Sequence, residues 1–423
     1  MTTDGYLLIA ARGLRMLAYG ALSVVLALYL AGWGVSASEI GLLFTVALAG
    51  AAVVTSAVSL RADRWGRRRL LMGAALLMAV AGVALATPVP FPVLLLCAAL
   101  GAVSPGGQEV GPFQALEQAA LAESGTSPAS VLPYAWYNLV GYGGVALGAL
   151  GAGAVPTALE AAGWSPLAAE RTLLWGFAGV GALLAGLYAS LSPRVEGRRR
   201  RATSSGTLHR SRGVVLRLTA LFGLDALAGG FVVQGLVALW FHQRFHLGVD
   251  RLGPLFFGAN LLSALSGFYA ARLARRIGLL TTMVLTHLPS NLLLALVPLM
   301  PTWPLAAAVL LARHALSQMD VPTRQAYTMA LVPPEERAAA AGLTTAVRPA
   351  AASLTPLLAG VALQTAGSGI PFFLAGGLKA LYDVILWVVF RHVPLADREP
   401  SGPAAPRRPP GGSDSRRRAA PLS

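Results

Sequence analysis

A single cysteine, Cys97, serves the whole chain, which excludes an intramolecular disulfide and any thiolate cage for a metal. It stands in an apolar stretch and reads as a small core side chain. Charge is scarce too: 12% of residues are charged against 55% hydrophobic, and the mean hydropathy is +0.63, values that exclude an ordinary soluble globule. An HExxH helix, a GxSxG elbow, a Walker-type phosphate loop and any cluster of His or Cys are missing as well. The sequence therefore predicts neither an enzyme nor a bound metal or cofactor, and energy for any work is expected from an ion gradient. The stretch MTTDGYLLIAARGLRM has an acid and no basic residue ahead of its apolar run, so the first helix is expected to be retained rather than cleaved.

What the chain has in quantity is apolar runs long enough to cross a bilayer, which takes about 20 helical residues. Twelve are predicted, near residues 7–32, 39–61, 70–87, 91–120, 131–156, 171–192, 214–243, 250–272, 277–300, 303–332, 338–366 and 369–391. Arginines gather at every second junction: Arg64, Arg67, Arg68 and Arg69 after the second span, RVEGRRRRATSSGTLHRSR after the sixth, and Arg272, Arg275 and Arg276 after the eighth. The junctions between carry almost none. That asymmetry predicts a multi-pass protein of the inner or plasma membrane with both termini cytoplasmic, and it accounts for the net charge of +15 without a nucleic-acid partner.

A displacement of 212 positions carries Gly41, Leu43 and Phe44 onto Gly253, Leu255 and Phe256, and Ala62 and Gly66 onto Ala274 and Gly278. Such repetition in a membrane chain points to a secondary transporter. The expected organisation is a six-helix half over residues 1–192, a basic cytoplasmic linker over 193–213, a second six-helix half over 214–392 and a disordered basic tail over 393–423, whose arginines would sit near anionic headgroups. The partners expected are the bilayer and a small-molecule substrate, with the chain a monomer.

The stretch SLRADRWGRRRLL resembles the inner-loop signature of the major facilitator superfamily, G-x-x-x-D-R-x-G-R-R/K, through Asp63, Arg64, Gly66, Arg67 and Arg68, with Ser59 in place of the leading glycine. VPPEERAAAAG before the eleventh span looks like the corresponding loop of the second half. The resemblance covers residues 5–392 and implies an all-helical, twelve-span fold of two pseudo-symmetric halves. It also implies a gate in which Asp63 approaches the start of the eleventh span and Arg67 meets Glu117 at the end of the fourth. Arg68 and Arg69 are read as fixing topology. GYGGVALGALGAG in the fifth span resembles the family's antiporter motif and implies tight packing.

Ionisable groups within membrane helices are costly and serve as functional candidates. Several fall in pairs related by the repeat: Arg15 with Asp225, Glu109 with Asp320, and Asn138 with Arg348. The resemblance places the first two pairs on helices lining a central cavity. Asp320, then Glu109 and Asp225, are the candidate proton-coupling carboxylates, since a buried acid beside an arginine changes its proton affinity as the cavity opens and closes. Arg313, seven residues before Asp320, is the expected modulator, and His314 beside it is a further candidate proton carrier. Arg15, Arg313, Arg348, Asn138, Tyr19 and Trp240 are candidate substrate contacts. Static roles are the alternative: an Arg15–Asp225 ion pair, an i,i+4 pair of Lys379 with Asp383, and a structural His287. The leading functional expectation is proton-coupled efflux of a small molecule, resembling the drug/proton antiporter branch. Its rivals are uptake of an organic anion or nutrient and a non-transporting membrane sensor or scaffold.

Overall fold

The computed structural model describes residues 2–101, 103–107, 112–123, 132–196, 208, 211–364 and 368–393. Among these residues every regular element is a helix. In chain order they are α1 (Thr3–Gly32), α2 (Ala37–Trp65), α3 (Arg67–Ala86), α4 (Phe91–Ala99), α5 (Phe113–Glu123), α6 (Leu132–Ala161), α7 (Pro166–Ala189), α8 (Arg212–Gly230), α9 (Gln234–Phe245), α10 (Val249–Ile277), α11 (Leu279–Leu296), α12 (Trp303–Ser317), α13 (Asp320–Leu331), α14 (Arg337–Ala352), α15 (Pro356–Leu363) and α16 (Ile370–Phe390). Ten helical segments among the described residues are long and apolar enough to cross a membrane. The fourth and tenth predicted spans fill the remaining places as half-helices, α4 with α5 and α12 with α13. Leu76, Val80, Phe268, Leu285 and Val388 are each more than half exposed, an arrangement hydrocarbon accepts and water does not.

The helix boundaries follow from local chemistry. Ser36 and Glu39 form a reciprocal capping box at the start of α2, each side chain accepting from the other's backbone N–H. Gly66 and Gly278, 212 positions apart, have φ of +85° and +87° and let the chain leave one helix and enter the next without a loop. The repeat read from the sequence is thus a repeat of backbone conformation.

Breaks in the fourth and tenth spans fall where Pro and Gly predict them, but the seventh and eleventh spans are divided as well, α8 from α9 and α14 from α15. The breaks satisfy one another's backbone groups, as nonpolar surroundings require. Gly235 N–H donates to Pro105 O at 3.0 Å, joining the fourth and seventh breaks. The Thr355 hydroxyl donates to Leu227 O at 2.7 Å, joining the seventh and eleventh.

The two halves meet along α2 with α15, α6 with α10 and α1 with α9. Small residues allow these approaches: a Cβ on Gly253 would lie 2.7 Å from Gly153 N, and one on Gly360 would lie 3.0 Å from Gly41 Cα. Gly144 and Gly148 of the same glycine-rich run pack on α1, so the run serves two neighbours. At the opposite end α5 packs on α1, α2 and α3 of its own half, and α13 on α8, α10, α11 and α14 of the other.

Candidate functional site

Each half encloses one ionic cluster. In the first, Arg15 of α1 makes two bonds to the carboxylate of Glu117 on α5, at 2.6 and 2.8 Å, with both side chains fully buried. Tyr137 and Tyr188 donate their hydroxyls to the same carboxylate at 2.6 and 2.5 Å. Arg12, one turn before Arg15, donates to the Tyr137 hydroxyl and lies over its ring, and the Arg15 guanidinium covers the ring of Phe113. Four charge-assisted bonds on one carboxylate fix its ionised form and hold α1, α5, α6 and α7 together.

The second cluster centres on Asp225 of α8. Its carboxylate accepts from Lys379, the only lysine of the chain, at 2.5 Å, from Arg348 at 2.9 Å and from Arg324 at 3.4 Å. Arg324 also bonds Asp320 at 2.8 Å across one turn of α13. Asp383 of α16 shares a hydrogen bond with His287 Nδ1 at 2.9 Å and accepts from Asn291 Nδ2 at 2.8 Å, while His287 Nε2 lies 3.8 Å from Asp225. Arg348 has a side chain 30% exposed and is the group of this cluster that solvent reaches most. Arg313 of α12 bonds His314 Nε2 at 3.3 Å, and its Nε is buried without a hydrogen bond. No carboxylate lies within ion-pair distance of Arg313 among the described residues.

The sequence found many of these residues and mispaired most of them. Arg15 and Asp225 do not form an ion pair: each is neutralised inside its own half, so the repeat places opposite charges at equivalent sites without joining them. Lys379 and Asp383 do not bind each other, because Asp225 draws the ammonium away and His287 and Asn291 take the carboxylate. His287 belongs to this network rather than to a separate structural contact. Asp320 is held by Arg324, not by Arg313. His314 bonds Ser263 on one ring nitrogen and Arg313 on the other. Asn138 is exposed and joins neither cluster. Tyr19 and Trp240 are fully buried among aromatic rings, Phe177 for the first and Phe241, Phe245 and Phe372 for the second. Glu109 lies outside the described residues. Arg12, Tyr188, Arg324 and Asn291 were not read as site residues, although the i,i+4 spacing of Asp320 and Arg324 signals their pair.

The signature loop also differs from expectation. Glu117 is taken by Arg15 and the two tyrosines, so it is not the acid that Arg67 meets. Arg67 donates its guanidinium to Ala119 O at 3.2 Å, and the backbone N–H groups of Arg67 and Arg68 donate to Glu196 at 2.6 and 3.2 Å. Glu196, assigned by the sequence to the linker, places its charge at the N-terminus of α3, where the helix dipole favours it. Arg68 also donates to Ala189 O. Arg64 is exposed, and the side chains of Ser59 and Asp63 lie outside the described residues.

The chain matches the family model described as Major Facilitator Superfamily over residues 8–316 and 226–421. It is 28% identical over 422 residues to the uncharacterized membrane protein YJR124C of Saccharomyces cerevisiae, covering 92% of this chain and 94% of the yeast one. Among solved structures, nucleoside transporter NupG superposes with a TM-score of 0.74 at 13% identity, covering 92% of this chain and all of NupG. The xylose transporter XylE from E. coli, in an inward-open conformation, superposes at 0.70 with 15% identity over 93% and 98% of the two chains. A bacterial homologue of the lysosomal transporter Spinster, inward-facing and occupied, gives 0.69 at 14% identity over 92% and 96%. A matching family profile across both halves, an all-helical bundle and shared architecture with transporters agree, and this multi-pass membrane protein belongs to the major facilitator superfamily.

Proposed function

We propose that the chain is a secondary transporter that carries a small organic anion across the membrane by alternating access, with a proton as the coupling ion. The observation that carries this reading is Arg313, a guanidinium within a membrane helix that has no carboxylate partner among the described residues. Such a cation is costly unless a ligand neutralises it for part of the cycle. Arg348, partly exposed over Asp225, is the second ligand. Cation surplus favours an anion over the lipophilic molecule expected of an efflux pump. The contact of α2 with α15 and of α6 with α10 closes one end of the bundle. With the loop of Arg64 to Arg69 read as cytoplasmic from the arginine asymmetry, this contact lies on the outer side. Coupling to protons has a precedent within the fold in the D-xylose-proton symporter. Net direction follows the combined gradients of proton and solute.

The test is flux into proteoliposomes under an imposed pH gradient, with labelled lactate, succinate and glycerol phosphate beside xylose, uridine and tetraphenylphosphonium. An anion should accumulate in the unaltered chain, and Arg313→Gln should lower its flux at least tenfold. Movement of tetraphenylphosphonium alone would restore the efflux reading, and movement of a neutral solute alone would remove the anion from the proposal. Deleting residues 394–423 should leave flux intact, which a scaffold dependent on its tail would not require.

A further inference from the structure

The carboxylates of the two clusters are not equivalent. Glu117 is paired with Arg15, Asp320 with Arg324, and Asp225 with Lys379, Arg348 and Arg324. Each is bonded to at least one arginine or lysine that offsets its charge within the membrane. Asp383 differs. It is almost wholly buried, and its described partners are His287 and Asn291, with neither Arg nor Lys among them. The one group bonded to it that can carry a positive charge is the imidazole of His287, and that charge exists only while a proton is bound.

A buried acid facing an imidazole is uncharged as a pair when the two share one dissociable proton, whether it rests on oxygen or nitrogen. Without it the pair carries a net negative charge inside the protein, at a cost that nearby cations must offset. The remaining charged or titratable groups around the pair are Asp225 of α8, Arg313 of α12, Arg324 of α13, Arg348 of α14, and Lys379 and Tyr382 of α16; the ring of Tyr382 packs edge-on against His287. His314 turns instead to Ser263 of α10.

We infer that Asp383 and His287, at the contact of α11 with α16, form the proton-binding site of this transporter, and that Asp225 connects it to the anion. The connection is geometric. His287 spans the two carboxylates, with Nδ1 on Asp383 and Nε2 facing Asp225. Protonation of the pair removes its net negative charge from beside Asp225, which then needs Arg348 less, and the partly exposed guanidinium becomes available to an anion. Loss of the proton reverses this: Asp225 reclaims Arg348 and the anion is released. Proton and anion therefore favour each other's binding, and by linkage the effect is reciprocal, as symport requires. The inference rests on the anion reading for its second half only. The site is built from residues to which the sequence reading gave static roles, and it replaces Asp320 as the proposed coupling carboxylate.

The first test needs no substrate. The full chain is reconstituted in vesicles of phosphatidylethanolamine and phosphatidylglycerol, and infrared difference spectra are recorded between acid and alkaline buffer. A band of the pair, protonated carboxyl or imidazolium, should titrate, be lost in Asp383→Asn, persist in Asp320→Asn, and leave a carboxyl titration with a displaced midpoint in His287→Gln and Asp383→Glu. The glutamate variant, which keeps the charge, guards against loss through misfolding. A band that survives Asp383→Asn, or that vanishes in Asp320→Asn, overturns the assignment. The second test loads the vesicles with a pH-sensitive dye: lactate, succinate or glycerol phosphate added outside should move protons inward with the unaltered chain and not with Asp383→Asn. If none of these anions moves with the unaltered chain, the anion reading falls while the infrared titration still decides the proton site.

Discussion

Removing the charge of Glu117 should destabilise the fold more than any other single neutralisation in the first half. Glu117→Gln keeps the volume of the side chain and leaves an amide oxygen for Tyr137 and Tyr188, but it removes the carboxylate charge that Arg15 bonds twice at a position with no solvent exposure, with Arg12 one turn away. Breaking a buried pair by removing one partner costs about 3–5 kcal/mol, because an uncompensated charge is left behind. At about 1.4 kcal/mol per decade, that is roughly a hundredfold or more in the unfolding equilibrium. The double variant Arg15→Met/Glu117→Gln removes both charges and should be more stable than Glu117→Gln alone. Unfolding of the four proteins in mixed micelles, followed by circular dichroism across a series of denaturing-detergent fractions, gives the cycle. Losses that simply add, with the double variant weaker than either single one, would show that the pair is not the unit that holds α1 to α5.

Three further outcomes follow from named contacts. Arg313→Met should abolish anion flux while raising thermal stability in detergent by about 1 kcal/mol or more, since it removes a partly buried charge that has no described carboxylate within ion-pair distance; a destabilised variant would mean that Arg313 is neutralised in the resting protein. Gly253→Val places methyl groups against the backbone of Gly153 and should part α10 from α6. In a Cys97→Ala background, a reporter cysteine at Thr45, in the same closed end, should then react faster with a water-soluble maleimide; an unchanged rate would refute the steric argument. Glu196→Ala removes the carboxylate that accepts from the first amides of α3 and should cost about 1 kcal/mol. Hydrogen exchange at Arg67 and Arg68 should accelerate, and equal protection in the variant would show that Glu196 does not cap the helix.

The fold was legible because membrane helices are written in composition and because Gly66 and Gly278 can be recognised by their place beside basic residues, the first ahead of Arg67 to Arg69 and the second just after Arg275 and Arg276. Charged residues inside the spans were legible for the same reason: Arg15, Glu117, Asp225, Asp320, Arg348, Lys379 and Asp383 all stand out against apolar neighbours. Their partners were not. Pairing depends on how the helices rotate and cross, and helical spacing speaks only for partners on one helix. Asp320 with Arg324 obeys that spacing. Lys379 with Asp383 has the same spacing and fails, because the attraction of Asp225 across the α8–α16 contact exceeds that of a neighbour one turn away. Tyr188 and Asn291 carried no signal, since a tyrosine or asparagine is ordinary until a carboxylate is placed against it. The divisions of the seventh and eleventh spans were missed for a related reason: what stabilises them is the bonding of one break to another.

The distribution of strong and weak contacts bears on how such a bundle could move. Every described ion pair of the two clusters lies within one half. Among the described residues, the hydrogen bonds that join the halves are neutral: Gln234 to Ser23, Gly235 N–H to Pro105 O, Leu357 N–H to Thr45, and Gln364 to Ser38. Each neutral hydrogen bond contributes about 1 kcal/mol net, whereas separating a buried ion pair costs several. Opening the closed end therefore breaks contacts that water replaces cheaply, and the ionic clusters travel intact with their helices. The glycine contacts of α6 with α10 and of α2 with α15 add close packing without side-chain interdigitation, so they too separate without rotamer changes. A molecule built with these ion pairs across the halves would be locked; the pairs of the two clusters instead stiffen each half.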